Sequence, residues 1–241
     1  MKEFLILSGS SGFLGQAIYR KLSSNYNLIL IDKIKPKKLK INSTSKFYKI
    51  DITSKKEVSI LSKKLLKQKI SINGIINNAS FNPKPGVNYD TTTKDFKVSI
   101  LGSCNLINEF KTDMIKKKDG KIINIGSDLS VIAPTQSIYK KDYPNYKKPV
   151  SYSIIKHALV GVTKYFAAEL APHNISVNTL SPGGIYNDHP LNFVDALTKL
   201  IPAKRMCSLN DVVLTLESLL KNKSNYLTGQ NILVDGGRTI V

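Results

Sequence analysis

The sequence predicts an α/β protein with a doubly wound parallel sheet of about seven strands and helices on both faces. Short apolar runs rich in β-branched residues alternate with stretches of helical periodicity along all 241 residues. Most of these runs are apolar at every position, as strands are when helices cover both faces of a sheet. Because no linker or repeat interrupts this alternation, we expect residues 1–241 to form a single domain.

The predicted elements follow one another in regular order. The strand runs are Phe4–Leu7, Leu28–Ile31, Phe47–Ile50, Gly74–Ile76, Lys121–Ile125, Ile175–Leu180 and Ile232–Val234. The helical stretches are 13–23, 55–68, 92–117, 152–171 and 209–221. One long stretch, at about 128–150, fits neither pattern and is rich in Tyr, Lys and Pro. Irregular segments of this length in compact domains are usually functional or disordered.

Three glycines follow the first strand run, in the stretch SGSSGFLG of residues 8–15. A strand, a glycine-rich turn and a helix in this order are typical of a site for the diphosphate of a dinucleotide. Gly9 allows the tight turn, Gly12 lets the backbone approach a diphosphate, and Gly15 lets the helix pack closely on the sheet. The diphosphate would lie at the positive end of the helix that begins near Gly12. A flexible strand-to-helix turn is the alternative explanation of this pattern taken alone.

Asp32 ends the second strand run, 17 residues after Gly15. A carboxylate at this position accepts hydrogen bonds from the ribose hydroxyls of adenosine and repels a 2′-phosphate, so it favours NAD over NADP. Lys33 follows directly and would suit the additional phosphate, which keeps NADP possible. The alternative role for Asp32 is that of a turn residue at the end of a strand.

Polar signals also end the later strand runs. Asn77–Ser80 (NNAS) follows the fourth run, Ser127 the fifth and Ser181–Gly184 (SPGG) the sixth. Tyr152 and Lys156 form a Y-x-x-x-K pair, one helical turn apart on the same face of a helix. Ligands of open parallel sheets bind outside the carboxyl ends of the strands, so we expect these side chains to meet there.

These pieces, in this order, resemble the short-chain dehydrogenase/reductase family over essentially the whole chain. The matching segments are the glycine turn, DIT, NNAS, Ser127, YSIIK, NISVNTLSPGG and YLTGQNILVDGG. The segments VIAPTQSIY, PVSYSIIKHALVGVTKYFA and LSPGGI are most similar to a bacterial branch linked to flagellin modification and surface-sugar (nonulosonate-type) biosynthesis. The resemblance implies a Rossmann-type sheet and NAD(P)-dependent interconversion of a hydroxyl group and a ketone.

The resemblance also implies which residues act. It assigns catalytic roles to Ser127, Tyr152 and Lys156. The cofactor contacts that it implies are Gly9, Ser11, Gly12, Phe13, Leu14, Gly15, Asp32, Lys33, Asp51, Ile52, Asn78, Ala79, Ser80, Tyr152, Lys156, Pro182, Gly183 and Ile185.

The chemistry of alcohol oxidation explains the residue types. The hydroxyl proton leaves while a hydride leaves the carbon for the nicotinamide. Tyr152 can take that proton, but a free phenol has a pKa of about 10 and is too weakly ionised near pH 7. We therefore expect the Lys156 ammonium, together with the charge of the cofactor, to lower the pKa of Tyr152. Ser127 is expected to hydrogen-bond the substrate oxygen and to orient it.

Three departures from the family pattern bear on function. The glycines are spaced G-x-x-G-x-x-G, with Phe13 where compact family members carry the middle glycine. Ser99 aligns with the asparagine that completes the catalytic relay in many members. Tyr152 follows Ser127 by 25 residues, which is longer than is usual in the family.

The longer connection is the irregular segment already noted at about 128–150. Because it leaves Ser127 and returns to Tyr152, we expect it to overhang the active site. Lysine would suit a phosphate and flat phenols would suit a sugar or a base. A surface loop that shares the general lysine bias of the chain is the alternative. The tyrosines and lysines concerned are Tyr139, Lys140, Lys141, Tyr143, Tyr146, Lys147 and Lys148.

The formal net charge is +19, nearly all from lysine, since arginine occurs only at Arg20, Arg205 and Arg238. Scattered lysines without arginine forks indicate a solvated surface rather than nucleic-acid binding. No apolar run has the length of a membrane span, and no signal peptide is recognisable. Cys104 and Cys207 lie far apart without metal-ligand spacing, which favours a cytoplasmic setting and no metal.

We therefore expect an NAD(P)-dependent oxidoreductase that acts on a phosphorylated or nucleotide-linked sugar for a surface glycan. One alternative is reduction of 3-oxoacyl groups on an acidic carrier protein, which a basic surface would suit. The other is a non-catalytic NAD(P)-binding sensor or assembly protein. The long apolar faces of helices 92–117 and 152–171 predict a homodimer or homotetramer.

Overall fold

Seven strands form one parallel sheet in the computed structural model, which describes residues 2–36, 39–82 and 92–241. The strands are β1 Lys2–Ser8, β2 Leu28–Asp32, β3 Lys46–Lys49, β4 Ile70–Asn77, β5 Gly120–Ile125, β6 Ile175–Pro182 and β7 Asn231–Val234. Their order across the sheet is β3-β2-β1-β4-β5-β6-β7. All seven predicted strand runs are present, and the predicted fold class is confirmed.

The helices also follow the sequence prediction, with two differences. They are α1 Phe13–Leu22, α2 Lys55–Lys67, α3 Thr92–Phe96, α4 Ser103–Lys117, α5 Val150–Leu170, α6 Leu191–Lys199 and α7 Leu209–Lys221. The helix predicted over 92–117 is divided, because a π-helical stretch, Lys97–Gly102, joins α3 to α4. Helix α6 was not predicted, since it is short and buries only Phe193 and Leu197.

Each face of the sheet carries its own apolar core. In β1, Ile6 belongs to one core and its neighbour Leu7 to the other, and both side chains are fully buried. Side chains of α2, α4 and α5 complete the first core, and side chains of α1 and α7 complete the second. Because both faces are covered, strands that are apolar at every position are stable here.

The strand order reverses at β1, which pairs with β2 on one side and with β4 on the other. The connections that leave β1 and β4 therefore depart in opposite directions and open a crevice at the carboxyl edge of the sheet. Crevices of this kind are the usual ligand sites of doubly wound folds. The polar residues predicted to be functional follow the ends of these strands and of β2, β5 and β6.

The described residues contain neither a membrane-spanning helix nor a cluster of metal ligands. In residues 2–36, 39–82 and 92–241, no helix is long and apolar enough to span a membrane. The same ranges contain no group of three His, Cys, Asp or Glu side chains that could hold a metal ion.

Candidate active site

The turn between β1 and α1 requires glycine at two of its three glycine positions. Gly9 has a φ of 63°, and a Cβ there would lie 2.7 Å from the Cα of Ala79. A Cβ on Gly15 would overlap the backbone oxygen of Gly9. Gly12 differs, because the nearest atom to a Cβ there would be 3.4 Å away. Gly9 and Gly15 thus shape the turn itself, whereas Gly12 leaves room beside the backbone.

The start of α1 is suited to an anion. Gly12 is the N-cap, so no side chain accepts a hydrogen bond from the first amide groups of the helix. The first turn also contains no acidic residue. Free amide groups at a helix N-terminus, together with the positive end of the helix dipole, form a binding site for phosphate. The residues present therefore fit the diphosphate of a dinucleotide.

Asp32 fixes this turn from the end of β2. Its Oδ2 accepts the backbone N–H of Ser11 at 3.0 Å, and its Oδ1 accepts that of Ile34 at 3.3 Å. The Lys33 Nζ pairs with Asp51 Oδ2 at 2.5 Å. Burial raises the pKa of Asp51, but the bonds from Lys33 and nearby donors outweigh this and lower it. The positive charge of Lys33 is thus already matched by a carboxylate.

Asn78 connects the turn to the end of β4. Its Nδ2 donates to the backbone oxygens of Ser8, at 3.2 Å, and of Gly9, at 3.0 Å. The backbone N–H groups of Asn78 and Ala79 both donate to Ser8 Oγ, at 3.1 and 3.2 Å. The side chain of Asn78 therefore positions the glycine turn rather than projecting freely into the crevice.

A cavity of about 850 Å³ occupies the crevice. One part, here called the glycine-loop half, is lined by Gly9, Gly12, Phe13, Leu14, Gly15, Asp32, Lys33, Asp51, Ile52, Asn78, Ala79 and Ser80. The other, the insertion half, is lined by Ser127, Tyr139, Tyr143, Tyr146, Lys148, Tyr152, Lys156, Pro182, Gly183, Ile185, His189, Phe193 and Arg238. Ser11 is the one predicted contact that does not line the cavity, because its N–H and hydroxyl donate to Asp32 and Ile34.

Ser127 lies at the end of β5 within a network of buried polar groups. Its Oγ donates to Asp128 Oδ1 at 2.9 Å and accepts the N–H of Leu129 at 3.2 Å. The other oxygen of Asp128 pairs with Arg238 Nη1 at 2.6 Å, and these two side chains are only 3% and 6% exposed. Arg238 therefore compensates a buried negative charge next to Ser127.

Buried polar side chains also hold α5 against the sheet. Asn124 on β5 donates to Thr163 Oγ1 at 2.8 Å, and Thr163 Oγ1 lies 2.6 Å from Thr179 Oγ1 on β6. One helical turn after Tyr152, Lys156 Nζ donates to the backbone oxygen of Ile125 at 3.1 Å. These contacts fix the first turns of α5 so that the Tyr152 hydroxyl is hydrogen-bonded to Ser127.

Lys156 by itself does not lower the pKa of Tyr152 in the structure, contrary to the expected effect of this ammonium. Burial raises the pKa of Tyr152 to about 12; the bond with Ser127 opposes this increase and the charge of Asp128 adds to it. The Lys156 ammonium lies 5.6 Å from the centre of the Tyr152 ring and donates to a carbonyl instead. Burial and the nearby Lys148 lower the pKa of Lys156 to about 8. The phenol is therefore protonated at neutral pH.

Ser99 occupies the π-helical stretch between α3 and α4 and is buried. Its hydroxyl donates to Ser80 Oγ at 3.2 Å, and its backbone oxygen accepts the Ser103 hydroxyl at 2.7 Å. Ser99 does not line the cavity.

The segment between Ser127 and α5 forms much of the wall of the insertion half. The ring of Tyr139 lies 5.0 Å from that of Tyr146 and 5.3 Å from that of Phe193 on α6. Burial raises the pKa of Tyr139 to about 12. Lys148 lines the same cavity. The other lysines of the segment are exposed and do not line it: Lys140, Lys141 and Lys147.

Sequence reasoning missed several residues of this half. Asp128 and Arg238 lie 110 positions apart, and neither belongs to a recognisable motif. His189 and Phe193, whose rings stack at 5.1 Å, come from the segment around the unpredicted helix α6. One sequence signal was available, since an acidic residue directly after an apolar strand and Ser127 requires a partner when it is buried.

The fold and this site define a class: oxidoreductases that bind NAD(P) at the carboxyl edge of a parallel sheet. A family model described as enoyl-(acyl carrier protein) reductase matches residues 26–239. The chain belongs to the short-chain dehydrogenase/reductase family.

Individual relatives extend over nearly the whole chain. Post-translational flagellin modification protein A of Campylobacter coli is 27% identical, and the alignment covers 98% of this chain and 97% of the relative. The 3-oxoacyl-[acyl-carrier-protein] reductase FabG of Buchnera aphidicola subsp. Baizongia pistaciae is 30% identical with the same coverage. A short-chain dehydrogenase from Leptospira borgpetersenii, solved with bound NAD+, superposes with a TM-score of 0.87 at 27% identity, covering 99% and 93% of the two chains.

Proposed function

We propose that this protein interconverts a hydroxyl group and a ketone on a phosphorylated or nucleotide-linked sugar, in the cytoplasmic biosynthesis of a surface glycan. The observation that carries the proposal is the aromatic wall of the cavity that Ser127 and Tyr152 also line. Aromatic rings provide flat apolar surfaces against which a sugar ring or a base packs. The similarity to a flagellin modification protein of Campylobacter coli supports the same class of substrate.

We assign the glycine-loop half to the dinucleotide, with NAD preferred over NADP. The amide groups at the start of α1 suit the diphosphate, and Asp32 suits the hydroxyls of the adenosine ribose. Lys33 is bonded to Asp51 and is therefore poorly placed to neutralise a 2′-phosphate. Backbone groups on both sides of Ile185 pair with Cys207, which holds Ile185 at the cavity wall for the nicotinamide carboxamide.

Tyr152 is the proposed acid and base. When bound, NAD(P)H supplies the hydride for the carbonyl carbon, and NAD(P)+ accepts it in the opposite direction. During reduction the Tyr152 hydroxyl donates its proton to the carbonyl oxygen, which its pKa of about 12 suits because the phenol is protonated at neutral pH. Ser127 hydrogen-bonds the same oxygen. Lys156 is the proposed contact to the nicotinamide ribose, and the charge of the oxidised cofactor would assist its ammonium in stabilising the phenolate left behind.

Reduction of 3-oxoacyl groups on an acidic carrier protein is the second candidate. The 30% identity to a Buchnera reductase of this kind and the net charge of +19 favour it. The same Tyr152 and Ser127 would protonate and orient the keto oxygen. The two candidates differ in what must fill the insertion half, an acyl chain or a sugar.

We further propose that the protein is a homodimer or homotetramer. Apolar side chains are exposed on the π-helical stretch and on α5, notably Leu101, Ile154 and Tyr165, which are 44%, 53% and 68% exposed. A second copy that covers this face would bury them. Light scattering coupled to size-exclusion chromatography measures the mass, and a monomer at micromolar concentration would contradict the proposal.

The test is a turnover screen that follows NADH absorbance. Sugar phosphates, nucleotide-sugars and 3-oxoacyl carrier protein are offered with NAD(H) and NADP(H). A Tyr152→Phe variant serves as the control, and we expect it to lose at least about 100-fold in turnover, as removal of a general acid does. NADH binding, measured by fluorescence, should be retained.

Each outcome separates the hypotheses. Turnover of a sugar compound that depends on Tyr152 supports the first candidate, and turnover of the carrier-protein substrate alone supports the second. NADH binding without turnover of any substrate would favour the non-catalytic sensor or assembly role.

A further inference from the structure

Lys148 is held in place by the segment to which it belongs. The side-chain amide of Gln136 accepts the Lys148 N–H at 2.9 Å through Oε1. The same amide donates to the Lys148 carbonyl oxygen at 3.1 Å through Nε2. Both backbone groups of Lys148 are therefore fixed just before α5. The backbone from which the Lys148 side chain extends is therefore held on the Gln136 side chain.

The Lys148 ammonium lies beside the proposed reacting group. Lys148 Nζ lies 4.0 Å from the centre of the Tyr152 ring and donates to Asn82 Oδ1 at 2.7 Å. Lys148 lines the insertion half of the cavity. Any ligand oxygen that reaches Tyr152 and Ser127 therefore brings its neighbouring substituents close to this ammonium.

The ammonium has little electrostatic compensation. Within residues 2–36, 39–82 and 92–241, no carboxylate forms a salt bridge with Lys148. Asp128 attracts it, but Asp128 is already paired with Arg238 at 2.6 Å. Burial lowers the pKa of Lys148 to about 8, which is the direction expected for a cation short of counter-charge. An ammonium has three N–H donors, and Asn82 takes one of them.

The general lysine bias of the chain does not explain this position. Its neighbour Lys147 is exposed and does not line the cavity, as a solvated surface lysine should be. Lys148 is half-buried, and desolvation of an ammonium that is bonded to the neutral Asn82 rather than to a carboxylate costs free energy, which an anion that binds to it would lower.

We propose that Lys148 binds an acidic group of the substrate, a carboxylate or a phosphate, carried close to the carbon that is oxidised or reduced. This inference rests on the proposed function and narrows its substrate class to sugar acids or sugar phosphates with the acidic group near the reacting carbon. A 3-oxoacyl thioester has no charge at that place and would leave Lys148 without a partner. The remote diphosphate of a nucleotide-sugar would not satisfy it either.

A direct test observes the lysine itself. The protein is labelled with [13Cε]lysine and saturated with NADH, and NMR follows the lysine signals as the pH is changed. The signal that is missing in the Lys148→Gln variant is that of Lys148. Inorganic phosphate and malonate are the two probes, which distinguish a phosphate site from a carboxylate site. We expect a saturable increase, about tenfold or more, in the proton affinity of Lys148 with one of them, because an anion stabilises the ammonium. No change with either anion would overturn the proposal.

The matched control is Lys147→Gln, which removes the same charge one position away. On an acidic substrate identified by the turnover screen, Lys148→Gln should raise KM at least about tenfold with kcat nearly unchanged, the pattern of lost ground-state binding. Lys147→Gln should leave both constants unchanged, and Lys148→Arg should restore part of the affinity. A fall in kcat at constant KM would assign Lys148 to the ionisation of Tyr152 and overturn substrate binding.

The two proposals fail separately. Absence of turnover on all substrates would remove the proposed function, whereas the anion titration on the NADH complex would still report on Lys148. Turnover of an acidic substrate by Lys148→Gln at the wild-type KM would remove only the anion site.

Discussion

The glycine-loop half of the cavity contains glycines that tolerate no side chain, while the insertion half depends on particular side chains. Around Gly9 and Gly15, any added side chain would collide with backbone atoms. Around Ser127 and Tyr152, by contrast, the wall depends on buried side-chain pairs such as Asp128 with Arg238. The first half therefore depends on side chains being absent, and the second depends on particular side chains being present.

This difference separates the part of the site that would suit any dinucleotide from the part that would select the substrate. The backbone amide groups at the start of α1 suit a diphosphate, which every dinucleotide carries. A wall of aromatic and charged side chains selects among substrates by shape and charge. We therefore expect an added side chain to damage the glycine-loop half and the removal of a side chain to change the insertion half, and the following experiments are ordered by the size of the expected effect.

Removing the Arg238 side chain should have the largest effect on stability. Arg238→Met leaves the buried Asp128 carboxylate without its partner, which costs about 3–5 kcal/mol of unfolding free energy. Urea denaturation measures this. The double variant with Asp128→Asn should recover much of the loss because no uncompensated charge remains. A loss in the double variant as large as in Arg238→Met would mean that packing, not charge, is responsible.

Removing the buried charge of Lys156 from the same half should increase the unfolding free energy rather than lower it. Lys156 is 4% exposed and its pKa is lowered to about 8, so the folded protein binds its proton less tightly than the unfolded chain. This destabilisation is fully present below pH 8 and disappears as the pH rises to the unfolded value of about 10.4. Lys156→Met should therefore raise the unfolding free energy at pH 7 by about 2 kcal/mol.

The gain of Lys156→Met should shrink between pH 8 and 10, and its turnover should be lost. Urea titrations at several pH values check the first point, and the substrate screen checks the second. A variant less stable than wild type at pH 7 would show that the bond from Lys156 to Ile125, at 3.1 Å, outweighs the cost of burial.

Adding one methyl group should damage the glycine-loop half. In Gly15→Ala the new Cβ overlaps the backbone oxygen of Gly9, and overpacking of this kind costs about 1–3 kcal/mol. NADH affinity should fall as well, because the turn is displaced. The matched control is Gly161→Ala within α5, where a Cβ has no neighbour within 4 Å. Since alanine favours a helix more than glycine does, this control should gain about 0.5–1 kcal/mol. Equal effects at both glycines would contradict the contrast.

The smallest effect concerns the choice of cofactor. Asp32→Asn keeps an acceptor for the Ser11 N–H but removes the charge that would repel a 2′-phosphate. We expect the preference for NADH over NADPH to fall by about tenfold, or 1.4 kcal/mol. Fluorescence titration with both cofactors measures the ratio, with Lys33→Gln as the comparison. An unchanged ratio would place the adenosine ribose away from Asp32.

Prediction from sequence succeeded where the signal is local. The seven strands and the glycine turn follow from apolar runs and glycine spacing within short segments. Prediction from sequence failed where the environment of a side chain depends on segments that are distant in the chain. The expected effect of Lys156 on Tyr152 followed from their spacing on one helix, yet the carbonyl of Ile125 takes the ammonium and burial dominates the phenol. Helical spacing shows which side chains share a face, but not what the sheet presents to them.

By itself, the sequence determined the doubly wound sheet, the glycine turn after the first strand and the irregular segment from Ser127 to Tyr152, because periodicity and glycine placement act over a few residues. Only the tertiary structure decided that Arg238 neutralises Asp128 from 110 positions away and that Lys148, not its neighbour Lys147, enters the cavity. The physical reason is that the energy of a buried charge depends on all the groups around it. Those groups come together only when the whole chain has folded.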